Sequence, residues 1–178
     1  GSNATATDAA SPGTYYTDTL GTNGAWRWLK TSAGAGTARW TVAFGDTGWR
    51  DISSVLTADF APTTGIGLLV RRANNIVSLR LRVAVKADAS IIGTNANLAT
   101  TLVTVMPPGW GLPEVWSNAI SGSWGPSPVA MIGNGSSWAV LQIRGVTSGT
   151  IAAGSVAAGS GTYDPGTPWP STLPGIPR

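Results

Sequence analysis

Cysteine and histidine are both absent from this chain of 178 residues. Their absence excludes disulfides, thiol nucleophiles, zinc-finger ligand sets, Ser-His-Asp triads and His-based acid–base catalysis. A transition-metal site would need oxygen ligands alone, and cysteine usage says nothing about redox compartment. Charge is scarce as well. Eleven Lys or Arg and eight Asp or Glu make up 11% of the residues, against about 25% in an ordinary soluble domain. The pI of 9.8 rests on a net charge of only +3, too little for the concentrated basic surface that nucleic acid requires. No nucleic-acid partner is expected. No apolar run approaches about 18 residues, so no membrane insertion is expected. The N-terminus also lacks the basic and apolar regions of a signal peptide.

What is abundant is tryptophan, glycine and proline: nine, 24 and 12 residues respectively. Leu, Ile, Val and Phe supply only roughly a fifth of the chain, and the large indole rings offset that shortage. The length suits one domain with a real core.

Residues 1–13 are small and polar and read as a linker, with Gly1–Ala4 resembling a cloning remnant. Residues 14–44 read as a strand and hairpin segment leading into a head domain at 45–178. The far end, from Asp164 to Arg178, holds Pro165, Pro168, Pro170, Pro174 and Pro177. Such a segment forms neither a helix nor a central strand. It is expected to run extended over a surface, anchored by Trp169 and Leu173.

Between these ends no stretch has a helical period; short alternating runs recur, separated by Gly, Asn, Pro and Ser. Trp26 and Trp28 alternate with polar neighbours, as do Trp40, Val42 and Phe44, and the two runs predict a hairpin. Trp26, Trp28, Trp40, Trp49 and Trp138 are expected in the core, with Trp49, just past a turn and next to Arg50 and Asp51, read best as an anchor that sets the strand's entry. Gly45-Asp46-Thr47-Gly48 predicts a turn capped by the Asp46 side chain, followed by a strand from Trp49 to Ile52. A two-residue turn at Asn74-Asn75 sets Val70 opposite Leu79, Leu68 opposite Leu81 and Ile66 opposite Val83. A three-residue loop would put Arg80 and Arg82 opposite apolar partners, so the two-residue register is favoured. Further strands are predicted at Leu98–Met106, Val129–Ile132, Trp138–Val146 and Thr150–Val156, with Asn134-Gly135 turning between the middle two. Pro107 to Pro128 reads as a long irregular connection. The expected class is all-β, an antiparallel β-sandwich head of about eight to ten short strands.

Several strings recur in a familiar order: GDTGWRDI at Gly45–Ile52, then Arg71-Arg72 with Asn75, Val77 and Leu79. MPPGW follows at Met106–Trp110, and TPWPSTLPG closes the set at Thr167–Gly175. The set resembles the C-terminal domains of minor tail proteins and tail fibres from phages of high-GC Gram-positive bacteria. Asn74 stands where that family often has Gly, and Trp110 where it often has Phe; both changes keep the local physics. The resemblance implies a virion component at the distal tail, a homotrimer that contacts host cell-wall carbohydrate and other tail proteins. It implies no catalytic residue and no cofactor.

Two candidate sites follow. Trp116 and Trp124, with Glu114, Asn118 and Ser123 between or beside them, have the ingredients of a saccharide site: indole faces for C–H stacking and polar groups for hydroxyls. The competing reading is that these rings serve the core or a subunit contact, and Trp110 itself reads as a plug. The second candidate is a stripe of Arg71, Arg80, Arg82 and Lys86, pointing away from the apolar face and suited to an anionic ligand such as a teichoic-acid-like or acidic glycan. Its competing reading is a solvated strand face.

Enzymatic activity is not expected. A glycosidase needs two carboxylates about 5–9 Å apart, and Glu114 has no acidic neighbour near it in sequence. No metal site is expected either. The alternatives to a glycan-binding tail domain are a purely structural tail subunit and a carbohydrate-binding module of a cell-wall hydrolase.

Overall fold

The computed structural model describes residues 9–36, 39–63, 65–87, 89–90, 100–103, 105–112, 115–122, 129–134, 140–145 and 150–178. The described elements are strands and short 3-10 turns, and every strand pairing is antiparallel. The all-β expectation holds.

Three strands form an N-terminal sheet: β1 (Tyr15–Thr17), β2 (Ala25–Lys30) and β3 (Trp40–Gly45), in that order. The β2–β3 hairpin matches the expectation, with Trp28 opposite Val42 and Lys30 opposite Trp40. Core packing of Trp26 does not hold. Its side chain is 46% exposed, because the register shifts on both sides of Arg27 and a bulge resets the strict alternation that the reading assumed. Trp28 and Trp40 are half-buried. Trp40 meets the edge of Tyr16 at 6.4 Å, and the Lys30 ammonium lies 5.1 Å from its ring centroid. Lys30 is itself buried, its Nζ donating to the Gly34 carbonyl at 2.8 Å.

The larger assembly is built from β4 (Arg50–Asp51), β5 (Phe60–Pro62), β6 (Leu68–Ala73), β7 (Ile76–Val85), β9 (Thr100–Val103), β10 (Val115–Gly122), β11 (Val129–Asn134), β12 (Val140–Gly145), β14 (Val156–Tyr163) and β15 (Ile176–Pro177). Hydrogen-bonded neighbours run β15-β4-β6-β7-β14-β10-β11-β12-β9, with β5 also on β7. A separate pair joins β8 (Ala89–Ser90) to β13 (Thr150–Ile151). Leu102 and Val103 of β9 share one buried cluster with Leu68 and Val70 of β6 and Leu79 and Leu81 of β7. The path therefore folds over on itself into the two layers of a sandwich.

The central hairpin has the predicted register: Leu68 lies opposite Leu81, Val70 opposite Leu79, and Ala73 opposite Ile76 across the Asn74-Asn75 turn. Asn74 takes φ 52, the left-handed backbone that Asn tolerates and such a turn requires. One predicted pair is absent. Val83 is paired with Pro62 of β5 rather than with Ile66. The chain bends at Gly65, with φ 85, and the Ile66 N–H turns back to the Thr63 carbonyl.

Two stretches differ from the sequence reading. Val115–Gly122, read as part of an irregular connection, is strand β10, whose Trp116 lies opposite Gly133 and Asn118 opposite Met131. Pairing with β11 and β14 supplies what its weak alternation does not. The predicted strand Thr150–Val156 is interrupted at Ala152–Ser155, where the Ser155 N–H bonds the Ala152 carbonyl and Gly154 has φ 81. Beyond it β14, with the sequence VAAGSGTY, pairs with β7 from Val156–Ala84 through Tyr163–Val77. The described strands outnumber the eight to ten expected. Trp138 and the Asn134-Gly135 turn lie outside the described residues, the turn through Gly135.

Candidate functional site

Strand parity decides what the hairpin presents on each side. Val77, Leu79, Leu81, Val83 and Val85 of β7 are buried; Ser78, Arg80, Arg82 and Ala84 alternate with them on the outer side. On β6 the same rule places Leu68, Val70 and Arg72 inward. Arg72 is thus an arginine on the apolar face, 4% exposed.

A buried guanidinium must have its donors satisfied. Arg72 donates through Nη1 to the carbonyls of Gly109 and Pro168 and through Nη2 to that of Thr167, each at 2.8 Å; Nε reaches the Asn74 carbonyl at 3.2 Å. Its guanidinium carbon lies 5.2 Å from the Trp169 ring centroid. Its backbone N–H donates to the Thr47 hydroxyl, and its carbonyl accepts from the Thr47 N–H. Burial pulls its pKa down, with Asp164 and Tyr163 opposing. Trp110, fully buried as the plug reading expects, offers its carbonyl to the Tyr163 hydroxyl at 2.8 Å. Burial in turn pushes the Tyr163 phenol up.

All the strings read as motifs therefore meet at one residue. Thr47 comes from GDTGWR, Asn74 from the turn, Gly109 from MPPGW, and Thr167, Pro168 and Trp169 from TPWP. Asp46 caps its turn as expected, accepting from the Gly48 N–H at 2.9 Å. It also receives the forked guanidinium of Arg71, which together with the Gly48 bond holds its carboxyl below the usual range against some burial.

The C-terminal segment is anchored by Trp169 and Leu173, as expected. The Trp169 Nε1 donates to the Asn23 carbonyl at 3.0 Å, the Asn23 side chain donates back to the Ser171 carbonyl, and Leu173 packs on the core. Arg50 holds the carbonyls of Pro174 and Gly175 at 2.9 and 2.8 Å. Arg178 pairs with Asp51 at 2.5 Å. Burial would raise the Asp51 carboxyl, but the Ser53 hydroxyl and N–H, together with Arg178, bring it below the ordinary value.

Of the predicted anionic-ligand stripe, Arg71, Arg80 and Arg82 face outward and Lys86 is exposed just past β7. Arg71 is neutralised by Asp46 and does not belong to an open stripe. Arg80 lies over Trp49, its guanidinium carbon 4.5 Å from the ring centroid. Trp49 is half-buried rather than a core residue.

Of the predicted saccharide site, Trp116 and Asn118 are placed two positions apart in β10, on a strand rather than in a loop. Glu114, Ser123 and Trp124 lie outside the described residues. Among the described residues no group of three or more acidic side chains stands where it could hold a metal ion. Arg72 is the residue that sequence reasoning missed. The signal was present: the register that sets Val70 inward sets Arg72 inward too. No family model matches the chain, and neither the curated proteins nor the solved structures yield a match.

Proposed function

We propose that this chain is the receptor-binding head of a phage tail fibre or minor tail protein, holding the virion's distal tail to host cell-wall carbohydrate. The observation that carries the reading is the ordered set of motifs and their convergence on Arg72. Strings more than 100 residues apart, Thr47 and Thr167 for instance, belong to one constellation around a buried side chain. Segments that meet in this way are encoded as one folding unit. The constellation is a scaffold; its donors are consumed by backbone carbonyls and leave the outer faces to bind.

A homotrimer is part of the proposal. Tyr15, Trp26 and Phe44 of the N-terminal sheet are 52%, 46% and 56% exposed, which favours burial against copies of the chain. Weak individual sites would then act by avidity. The same exposure is what favours the second reading, a structural tail subunit with no glycan site. Sedimentation separates these from a monomeric carbohydrate-binding module. A fluorescent fusion titrated onto a panel of high-GC Gram-positive cells tests the function itself: saturable, strain-selective binding is expected, and a trimer that binds no strain would leave the structural reading. Trp116→Ala and Trp124→Ala variants in the same assay locate the contact; folded variants that bind normally remove the Trp pair from the site.

A further inference from the structure

We propose that the outer face of β7, at Arg80 and Arg82, binds a polyol-phosphate chain, a linear polymer of phosphodiesters joined through short polyols. The inference rests on the reading of the chain as a cell-surface glycan binder and names the chemistry that such a surface would offer.

Three observations carry it. The first is charge. Asp46 and Asp51 are engaged by Arg71 and Arg178, and the exposed Asp59 lies beside Lys86, past the end of β7 and away from Arg80 and Arg82 in sequence. Arg80 and Arg82 are exposed and make no ion pair among the described residues, so this stretch of the strand presents two cationic side chains with no acidic partner among those residues.

The second is preorganisation. Arg80 rests on the Trp49 ring at 4.5 Å. The cation–π contact restrains the side chain, so less rotamer freedom is lost when an oxyanion is taken up.

The third is spacing. Arg80 and Arg82 are alternate residues of one extended strand, which sets them about 7 Å apart. A three-carbon polyol between two phosphates spans a similar distance. Beside them β14 presents Ala158 opposite Arg82 and Ser160 opposite Arg80. These side chains are small and uncharged, so they add no bulk or charge beside the two arginines. Nucleic acid shares the phosphate spacing, but single strands are held by open aromatic faces. The indole at this place is capped by Arg80.

The test uses the full chain and synthetic poly(glycerol phosphate) in titration calorimetry, with polygalacturonate and a single-stranded oligonucleotide as competing polyanions. Binding of poly(glycerol phosphate) should be saturable and weaken with added salt. It should fall about tenfold or more in the double variant Arg80→Gln/Arg82→Gln, since each arginine gives one charge-assisted contact. Arg39→Gln, which removes the same charge from an exposed position just before β3, should leave it unchanged. Arg82→Gln alone touches nothing in the core and keeps the test valid if the double variant is unstable. The proposal is overturned if the arginine variants bind the probe as tightly as the parent. It is also overturned if polygalacturonate or the oligonucleotide binds equally well, or if the parent chain binds cells but not the probe. A chain that binds the probe and no cell would instead sink the function proposed above while the site stands.

Discussion

The guanidinium of Arg72 lies over the ring of Trp169 at 5.2 Å, and each group is bound to a different part of the backbone: Arg72 to the Thr167 and Pro168 carbonyls, Trp169 to that of Asn23. The pair joins the central hairpin, the C-terminal segment and the N-terminal sheet. Because the arginine is buried, its partners cannot be replaced by water without opening the structure.

Arg72→Lys is therefore far from conservative. An ammonium cannot serve carbonyls from Asn74, Gly109, Thr167 and Pro168 in the planar fork that they face. Losing charge-assisted bonds and stranding buried carbonyls is expected to cost about 3 kcal/mol or more. Urea denaturation followed by tryptophan fluorescence measures it; a loss under about 1 kcal/mol would show that Arg72 is not the joint.

Gly175 tests the C-terminal strap. It has φ 62, and a Cβ there would come within 1.9 Å of the Asp51 carbonyl oxygen. Gly175→Ala should detach the last residues, seen as fast amide exchange at Ile176 and Arg178, whose neighbours in β4 would lose protection too. Gly65→Ala is the comparison, with φ 85 but no atom within 4 Å of the added carbon. It should cost only the backbone strain, about 1–2 kcal/mol, and leave the strap protected.

Asn74 holds its turn twice over, by its left-handed backbone and by its side chain. Its Oδ1 accepts from the Gly45 N–H at 3.0 Å, and its own N–H donates to the Gly45 carbonyl. Asn74→Gly keeps the backbone and loses one bond, an expected cost of about 1 kcal/mol. Asn74→Ala loses both and should cost roughly 1 kcal/mol more. Equal melting temperatures for the two variants would show that the left-handed backbone carries no weight here.

Acid should loosen the strap. Asp46 and Asp51 both have lowered carboxyl pKa values in the fold. Their stabilisation is thus complete above the unfolded carboxyl value of about 4 and lost as pH falls through it and on through the depressed folded values. Stability measured by urea at pH 6 and pH 3 should drop, and the drop should shrink in Asp46→Asn/Asp51→Asn. Both pairs are partly exposed, so each contributes at most about 1 kcal/mol. An unchanged pH dependence in the double variant would place the acid-sensitive groups elsewhere.

The hairpin was legible because only one register keeps Leu68, Val70, Leu79 and Leu81 on a single face. The same parity held the clue to Arg72, overlooked because an arginine is rarely fully buried. Strand β14 was hidden for a different reason. Its Ala, Gly and Ser residues have poor strand propensity, and tertiary pairing with β7 overrides it. Trp26 misled because a bulge at Arg27 breaks a period that looked regular. Of the site, the outward direction of Arg80 and Arg82 was legible from alternation. The loss of Arg71 to Asp46, 25 residues away, and the stacking of Arg80 on Trp49 were not, since both depend on how β4 meets β6.

The central claim, that this chain holds a cell-wall glycan, is tested most directly by binding of the fluorescent fusion to walls isolated from a susceptible strain. The walls are boiled in detergent and digested with protease, then divided, and half are treated with hydrofluoric acid to cleave phosphodiester links. The account predicts that protease-treated walls bind as intact cells do and that acid-treated walls do not. Binding that disappears with protease would mean a protein receptor and would contradict it.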